Sequence, residues 1–290
     1  MPSMKGCTLE TCPIEASIYE YRPSLPANAT FIAIFGLSGL IHLLQLSIWR
    51  RNYAFSILIL LGCMGEIVGY VGRLMLYNNP FNISGFLIQI CALTVAPALF
   101  TAGIYFCIAD IVRLFGGEGT SRLKPNQYAW IFIPCDVISL LLQALGGGAA
   151  SVATRNQKDG TVGVNIMIAG LVFQVFSLLM FILLLAEFFV KVYRRGYLWR
   201  EDDGSEIKAG SGGAGGIGRA ARVRLYLFFF AFSLAILCIF IRCAYRVAEL
   251  SGGFRGKLIR DEGSFIGLDG VMIAVAAFAL NLGHPKMLTL

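Results

Sequence analysis

The sequence predicts an all-α membrane protein with seven transmembrane helices, the N-terminus outside and the C-terminus in the cytosol. The composition is the first reason: 57% of the residues are hydrophobic, 14% are charged, and the mean hydropathy is +0.72. Soluble domains carry about 25% charged residues. The second reason is the number of long apolar stretches, and the third is the distribution of basic residues between them.

Seven stretches are long enough to span a bilayer, because a hydrocarbon core of about 30 Å requires about 20 apolar residues in a helix. They lie at about 28–49, 53–76, 86–111, 128–149, 162–190, 225–248 and 266–283. The spans form one polytopic domain, 28–290, which follows an extracellular segment, 1–27. Most connections are short, so consecutive helices are predicted to be antiparallel neighbours.

Each span is distinguished by the polar residues or prolines that interrupt it. The first carries His42, and a lone histidine is usually structural; the third carries Pro97, which is predicted to kink the helix. The last closes on His284-Pro285, where histidine suits a helix C-terminus and proline prevents its continuation. The remaining polar positions are Glu66, Tyr70 and Arg73 in the second span, Asp136 and Gln143 in the fourth, Gln174 in the fifth, Arg242, Arg246 and Glu249 in the sixth, and Asp269 in the seventh.

Basic residues accumulate in alternate connections and so predict the orientation. With the N-terminus outside, the cytosolic segments hold fourteen Lys and Arg residues and the external segments hold seven, as the positive-inside rule requires. Two N-glycosylation sequons, at Asn28 and Asn82, fall on the external side, although Asn28 lies very close to the first span. The net charge of +7 therefore indicates topology and attraction to anionic lipid, and does not indicate nucleic-acid binding.

The eight cysteines divide between the spans and the N-terminal segment. Six lie within spans, where a free cysteine acts as a small buried hydrophobe. Cys7 and Cys12 lie outside, in an oxidising compartment, and could form a short disulfide. Residues 1–27 contain no apolar core of a signal peptide, so the first span is expected to act as its own insertion signal.

The connection between the fifth and sixth spans, residues 191–224, is the only long one. It begins basic, becomes acidic at 201–203 and is glycine-rich through 204–218, which predicts a flexible cytosolic loop. The GxGxxG match at 210–215 is discounted as a nucleotide site because no strand precedes it. The sequence contains no P-loop, which disfavours intrinsic ATP-driven pumping.

Charged residues within the spans are the strongest indication of function. A charge in hydrocarbon costs about 2.5–3.5 kcal/mol on insertion scales, so such residues pair or face a polar cavity. Glu66, Tyr70 and Arg73 share one face of the second helix, and the same spacing recurs from Arg242 to Glu249 on the sixth. The alternative is a structural role as interhelical contacts. For Arg73 and Glu249, near helix ends, snorkelling to the interface is the favoured alternative.

The helical rise places most of these side chains in the outer half of the bundle. At about 1.5 Å per residue, Glu66 lies about 20 Å and Arg242 about 25 Å from the cytosolic surface, and Asp269 within about 6 Å of the outer surface. The sequence thus predicts a polar, partly ion-paired cavity that opens toward the outer leaflet. The predicted ion pairs join Glu66 or Asp269 to Arg242 or Arg246.

No constellation in the sequence indicates an enzyme or a cofactor. The chain has no CxxC or Cys/His cluster typical of a metal site, and two histidines are too few for a histidine-rich zinc hydrolase. The seventh span lacks the lysine that a retinal Schiff base requires. We therefore predict no catalytic activity, metal or other cofactor, and an intramembrane hydrolase is the weakest alternative.

The ordered polar motifs of the chain resemble those of the fungal lipid-translocating exporters, a family of seven-span proteins. Each motif is weak alone, and the ordered set is specific. One departure is Ser264-Phe265, where a Glu and a Tyr are expected closer to the start of the last span. The matching pieces are 19–24 before the first span, 65–73 in the second, Ala96-Pro97 and Ile104-Tyr105 in the third, Asp136 and 143–147 in the fourth, Gly170-Leu171 and Gln174 in the fifth, Ile241-Arg242, Tyr245-Arg246 and Glu249 in the sixth, and Asp269 and His284-Pro285 in the seventh.

The resemblance implies export or leaflet translocation of lipids and amphiphilic toxins at the fungal plasma membrane. Sphingoid long-chain bases are the chief substrates that it suggests, with phospholipid, sterol or porphyrin-like amphiphiles as others; the oligomeric state is not predicted. Glu66 and Asp269 are expected to hold a cationic amine, whereas Arg242 and Arg246 suit a phosphate or tune the carboxylates. The predicted substrate-binding set is Glu66, Tyr70, Arg73, Asp136, Gln143, Gln174, Arg242, Arg246 and Asp269.

A seven-helix lipid sensor or receptor is the second hypothesis. An external N-terminus and a long basic loop between the fifth and sixth spans resemble receptor architecture. In that case the loop 191–224 would recruit a cytosolic partner when a lipid binds.

Overall fold

The chain folds into a bundle of seven long helices. The computed structural model describes residues 7, 9, 11–17, 19–48, 53–114, 121–155, 158–194, 219–252, 256 and 258–285. Among these residues there is no strand, and seven helices are long and apolar enough to cross a membrane, so the predicted all-α, seven-helix fold is confirmed. The orientation of the termini stays a prediction. The helices are α1 (Leu25–Ile48), α2 (Tyr53–Asn78), α3 (Ile83–Leu114), α4 (Pro125–Arg155), α5 (Thr161–Arg194), α6 (Arg219–Ser251) and α7 (Glu262–Leu282).

Each predicted span coincides with one helix, and most of the helices extend beyond the predicted ends. The extensions arise because the terminal turns contain polar and charged residues that hydropathy alone does not assign to a span. The predicted loop 191–224 is shortened at both ends, since α5 continues to Arg194 and α6 begins at Arg219. The remainder of that predicted loop lies outside the described residues.

Successive helices run in opposite directions and pack mainly against their neighbours in sequence. The closest associations join α2 to α3, α4 to α5 and α1 to α2, and α7 packs between α6 and α1. We call the end of the bundle that holds residues 79–82, 158–160 and 258–261 the N-terminal face, because α1 begins there. The opposite end is the C-terminal face.

Glycines allow α2 and α3 to approach closely, which matters for the orientation of α2. Gly62, Gly65, Gly69 and Gly72 all face α3. A Cβ at Gly72 would lie 2.8 Å from the backbone nitrogen of Gln89. Small residues at helix interfaces in membranes permit such backbone contact. With this face of α2 held against α3, the neighbouring face of α2 points toward α1, α6 and α7.

The seventh helix is not α-helical throughout. Residues Phe265–Val271 form a π-helical segment between the α-helical turn Glu262–Ser264 and the α-helix Met272–Leu282. Its i→i+5 hydrogen bonds shift the following side chains around the helix axis. Single π-helical turns of this kind occur frequently at functional sites. Asp269 lies within this segment.

Two prolines lie inside helices without ending them. Pro97 is within α3, and Pro134, which the sequence analysis did not consider, is within α4. Membrane helices tolerate proline because neighbouring groups satisfy the freed backbone atoms. The kink predicted at Pro97 stays a prediction.

Candidate functional site

The central feature of the candidate site is a buried aspartate shared by two arginines. Asp269 Oδ1 in the π-helical segment lies 3.1 Å from Arg242 Nε and 2.9 Å from Arg246 Nε, both on α6. Arg246 also donates a hydrogen bond from Nη1 to Glu249 Oε2 at 2.8 Å. Arg242 donates to the backbone oxygen of Leu93 on α3. These contacts join α3, α6 and α7 through charge-assisted interactions.

The second layer of the site surrounds Arg73, at the N-terminal face. Arg73 is completely buried, and its guanidinium lies 3.9 Å from the centre of the Phe265 ring. It donates hydrogen bonds to Asn28 Oδ1 at 3.0 Å, to the Tyr21 hydroxyl at 3.2 Å and to Glu262 Oε1 at 3.4 Å. The arginine therefore holds α1, α2, α7 and the N-terminal segment together.

Glu66 lies deeper in the same face of α2, and its carboxyl group has no partner. Its exposed fraction is 0%, and neither oxygen has a hydrogen bond or an ion pair with any described residue. Of the predicted ion pairs, those of Asp269 are present and those of Glu66 are absent. Tyr70, one turn away, is equally buried, and its hydroxyl also lacks a hydrogen-bond partner within the described part of the chain.

The ring of Tyr70 is held in place by α1 and α7. It stacks on Phe31 and Phe35, with ring centroids at 4.9 Å and 5.9 Å. Gly270, beside Asp269, makes this packing feasible, since a Cβ there would lie 2.4 Å from Phe31 and 2.9 Å from the Tyr70 hydroxyl oxygen. Tyr70 is thus packed between the aromatic rings of α1 and the backbone of α7 at Gly270.

The N-terminal segment closes the site at the N-terminal face. Glu20 forms an ion pair with Arg260 at 2.7 Å, and Arg22 donates to the backbone oxygen of Tyr77 at 2.8 Å. Tyr19 and Tyr21 lie over Arg73, and burial raises the pKa of both hydroxyls, while the Arg73 charge acts in the opposite direction. A disulfide joins Cys7 to Cys12 further along this segment.

The site is closed in this conformation. The exposed fractions of Arg242, Arg246 and Asp269 are 2%, 7% and 1%. The polar side chains therefore pack against one another and fill the space between the helices. They do lie in the half of the bundle at the N-terminal face, and the predicted opening toward the outer leaflet stays a prediction.

The other predicted site residues form separate polar pairs. Asp136 on α4 accepts a hydrogen bond from Thr101 on α3 at 3.0 Å. Gln143 on α4 donates to Gln174 on α5 at 3.0 Å. The structure thus brings six of the predicted residues together between α2, α6 and α7, and places Asp136, Gln143 and Gln174 between other helices.

One sequence expectation about helix ends is wrong. Arg73 and Glu249 do not snorkel to an interface; their exposed fractions are 0% and 3%, because each has a charged partner inside the bundle. Glycosylation at Asn28, which its closeness to the first span already disfavoured, stays untested, and the side chain of Asn28 has little exposure. It is buried in α1, where it donates to the backbone oxygen of Ser24 and accepts from Arg73.

A line of polar side chains continues from Glu66 toward the C-terminal face. Cys63, one turn from Glu66, contacts Ser38 on α1 at 3.7 Å, and Ser38 accepts from Asn281 on α7 at 2.7 Å. His42, one turn beyond Ser38, is fully buried, and neither ring nitrogen has a hydrogen-bond partner among the described residues. We call Cys63, Ser38, Asn281 and His42 the inner polar line. Its members lie on α1, α2 and α7.

Two further polar residues extend this region toward the end of α7. His284, predicted to stabilise the end of the helix, is buried and lies 3.1 Å from the Ser56 hydroxyl. The Phe55 ring lies between the two histidines, with edge contacts to His42 at 6.0 Å and His284 at 5.5 Å. Both histidines are therefore inside the bundle.

Several residues of the site were not identified as site residues from the sequence. They are Glu262, Asn28, Tyr21 and Phe265. Glu262 and Asp269 have a spacing of seven residues, which could have indicated a shared helix face. Asn28 was considered only as a sequon, and the contact of Tyr21 with Arg73 depends on the path of the N-terminal segment.

Sequence comparisons identify the family of this chain. The family described as RTA1 like protein matches residues 59–290. The sphingoid long-chain base transporter RSB1 of Saccharomyces cerevisiae (strain Lalvin EC1118 / Prise de mousse) is 34% identical over 91% of this chain and 72% of its own. Protoporphyrin uptake protein 1 of S. cerevisiae is 30% identical over 82% of this chain and 71% of its own.

A third relative extends the comparison. Protein RTM1 of S. cerevisiae is 27% identical over 81% of this chain and 68% of its own. No solved structure matches the chain. The family match covers all of α3 to α7 and most of α2. It therefore includes α2, α6 and α7, between which the charged site lies. This chain belongs to the RTA1-like family of fungal membrane proteins.

Proposed function

We propose that this protein translocates sphingoid long-chain bases between membrane leaflets, with the buried charges between α2, α6 and α7 as the headgroup site. The observation that carries the proposal is the Glu66 carboxyl group, which is buried beside charged residues and has no hydrogen-bond or ion-pair partner among the described residues. A buried polar group normally has one. An ammonium headgroup would provide the missing charge and hydrogen-bond donors.

The charges around Glu66 favour a cationic ligand. Arg73, Arg242 and Arg246 are balanced by Glu262, Glu249 and Asp269, which are their ion-pair partners. Glu66 is the seventh group, and its ionised form would give the site an excess of one negative charge. A long-chain base matches this excess with one positive charge, whereas its phosphorylated derivative would not.

The relatives favour the same class of substrate. One is named a sphingoid long-chain base transporter and another a protoporphyrin uptake protein, and both names describe movement of an amphiphile across a membrane. Their names describe transporters, which fits the expectation that this chain is not an enzyme. We further propose the fungal plasma membrane, with the N-terminal face outside, as its location.

The proposal is tested with purified protein in lipid vesicles and a labelled sphingoid long-chain base. Removal of the base by external albumin reports its arrival in the outer leaflet. We expect flux above that of protein-free vesicles, and a loss of about tenfold in Glu66→Gln, corresponding to about 1.4 kcal/mol of lost interaction. Glu187→Gln is the matched control, because Glu187 pairs with Arg122 and Lys191 near the C-terminal face.

Two results would contradict the proposal. The first is no protein-dependent flux of the base. The second is normal flux in Glu66→Gln, Asp269→Asn and the double variant. A receptor would show no protein-dependent flux of the base, together with ligand-dependent recruitment of a cytosolic protein through residues 191–224. The same vesicles, supplied with cytosol, therefore distinguish a transporter from a receptor.

A further inference from the structure

We infer that Glu66 exchanges a proton for the substrate cation, so that the protein operates as a proton/organic-cation exchanger; this inference rests on the proposed function. Two features of the described residues support this exchange: the surroundings of Glu66 and the balance of charge in the closed site.

Every charged group near Glu66 is already occupied by another partner. Arg242 and Arg246 on α6 form ion pairs with Asp269 on α7. On α2 itself the nearest polar side chains on the same face are Tyr70 and Cys63, neither of which can supply a positive charge. α1 contributes the Phe31 and Phe35 rings against Tyr70 and the Ser38 hydroxyl against Cys63. α3 contributes Leu93 beside Gly69. None of these side chains carries a charge.

An isolated carboxylate cannot remain ionised in such an enclosure. Transfer of an unpaired charge into a medium of low dielectric constant carries a large desolvation penalty, and a buried group neutralises instead. The closed, empty site therefore holds Glu66 as the carboxylic acid. The three arginines and their three carboxylate partners leave this closed site with no net charge.

Binding of an ammonium group reverses this balance. When the cation enters, the Glu66 O–H bond breaks, the proton passes to water on the side to which the site is open, and the carboxylate pairs with the ammonium group. One positive charge enters and one leaves, so the closed site stays neutral with or without substrate. A transporter that closes around either species in turn must exchange one for the other.

When the site is open to the C-terminal face, the inner polar line offers the proton a route between Glu66 and that face. It begins at Cys63, one turn from Glu66, and continues to Ser38, which accepts a hydrogen bond from Asn281. His42 lies one turn beyond Ser38 on α1, and all four side chains are buried. Hydroxyl, amide and imidazole groups can relay a proton with the help of water, whereas a long-chain amphiphile would not pass.

The experiment uses a labelled N,N,N-trimethyl sphingoid base in protein vesicles with an imposed pH difference. This probe has a fixed charge, so it cannot carry a proton itself, and valinomycin with equal potassium on both sides removes the membrane potential. We expect the steady-state distribution of the probe to shift about tenfold for each pH unit, toward the acidic side, because one-for-one exchange balances the two gradients. Glu66→Gln should abolish the dependence on pH, and Glu66→Asp and Glu187→Gln should retain it.

The outcomes separate the inference from the proposed function. Protein-dependent flux of the probe with a distribution that ignores the pH difference would overturn the exchange and leave translocation intact. A pH-dependent distribution that persists in Glu66→Gln would overturn the role of Glu66. Absence of protein-dependent flux for both this probe and the unmodified base would overturn the proposed function and the inference together.

Discussion

Arg246 on α6 binds Asp269 at 2.9 Å inside the π-helical segment of α7. The residues are 7% and 1% exposed, so the pair is shielded from both water and lipid. The π-helical segment shifts the side chains that follow it around the axis of α7. The ion pair therefore balances the charge of Asp269 and also holds α7 at the place where its geometry is irregular. The sixth and seventh helices are thereby joined at the level of the candidate site.

Removal of the Asp269 charge should destabilise the protein strongly. Asp269→Asn leaves Arg242 and Arg246 buried without their shared carboxylate, and breaking a buried pair in this way costs about 3–5 kcal/mol. The measurement is thermal unfolding in detergent. Asp110→Asn is the control, since Asp110 forms an exposed pair with Arg113, worth less than about 1 kcal/mol. Equal losses in both variants would contradict the structural importance of the buried pair.

The contact between α2 and α3 predicts an unusual effect of alanine. Glycine-to-alanine substitution within a helix normally gains up to about 1 kcal/mol. At Gly72 the new Cβ would lie 2.8 Å from two backbone atoms of α3, and overpacking of this kind costs about 1–3 kcal/mol. We expect Gly72→Ala to lower the melting temperature and Gly36→Ala, which has open space around it, to leave it unchanged or raise it. A gain at both positions would show that the helices can separate without cost.

The fold was predictable because hydropathy acts over whole segments. A run of about 20 apolar residues has one stable arrangement in a bilayer, and the polar residues at its ends do not change that arrangement. The sequence therefore predicts seven helices and locates most of their ends within about two turns. The π-helical segment Phe265–Val271 was not predictable. Its i→i+5 hydrogen bonds depend on packing against neighbouring helices, and seven residues are too few to show a distinct spacing of apolar side chains in the sequence.

Part of the candidate site was predictable for a related reason. Helical spacing alone places Glu66, Tyr70 and Arg73 on one face, and the structure shows that face turned toward α1, α6 and α7. Spacing contains no information on partners across helices. It could not reveal that Asp269 binds both arginines of α6 while Glu66 binds neither, nor that Arg73 is enclosed by the N-terminal segment.

Glycosylation distinguishes the two sequons and tests the orientation. Asn82 precedes α3 and is partly exposed, whereas the Asn28 side chain is buried against Arg73. With the N-terminal face outside, we expect a mobility shift on deglycosylation that Asn82→Gln removes and Asn28→Gln does not. A glycan at Asn28 would contradict the described packing of α1. If neither sequon is glycosylated, the sequons no longer support the predicted orientation.

The N-terminal segment should detach from the bundle at alkaline pH. Burial raises the pKa of Tyr19 and Tyr21 above the ordinary value of about 10, so the docked segment retains protons that the detached segment loses. Docking is therefore fully stable below about pH 10 and weakens above it, by up to about 1.4 kcal/mol per pH unit for each tyrosine. Limited proteolysis of the segment across this range measures the effect. Tyr19→Phe should reduce the slope, and Tyr53→Phe, near the C-terminal face, should not.

The inner polar line predicts that stability and transport respond differently to one substitution. His42 is buried without a hydrogen-bond partner for either nitrogen, so His42→Leu removes an uncompensated polar group and should leave the melting temperature unchanged or higher. If the line carries the proton, the same variant should slow the pH-driven movement of the trimethylated base by tenfold or more. The final distribution of the base should not change, because the proton route determines only the rate of exchange, whereas Glu66 links the movement of the proton to that of the base. Ser47→Ala, exposed on the same helix, is the control. Reduced stability with unchanged flux would instead show that His42 is a packing residue, and the proton would then have to reach Glu66 from the N-terminal face.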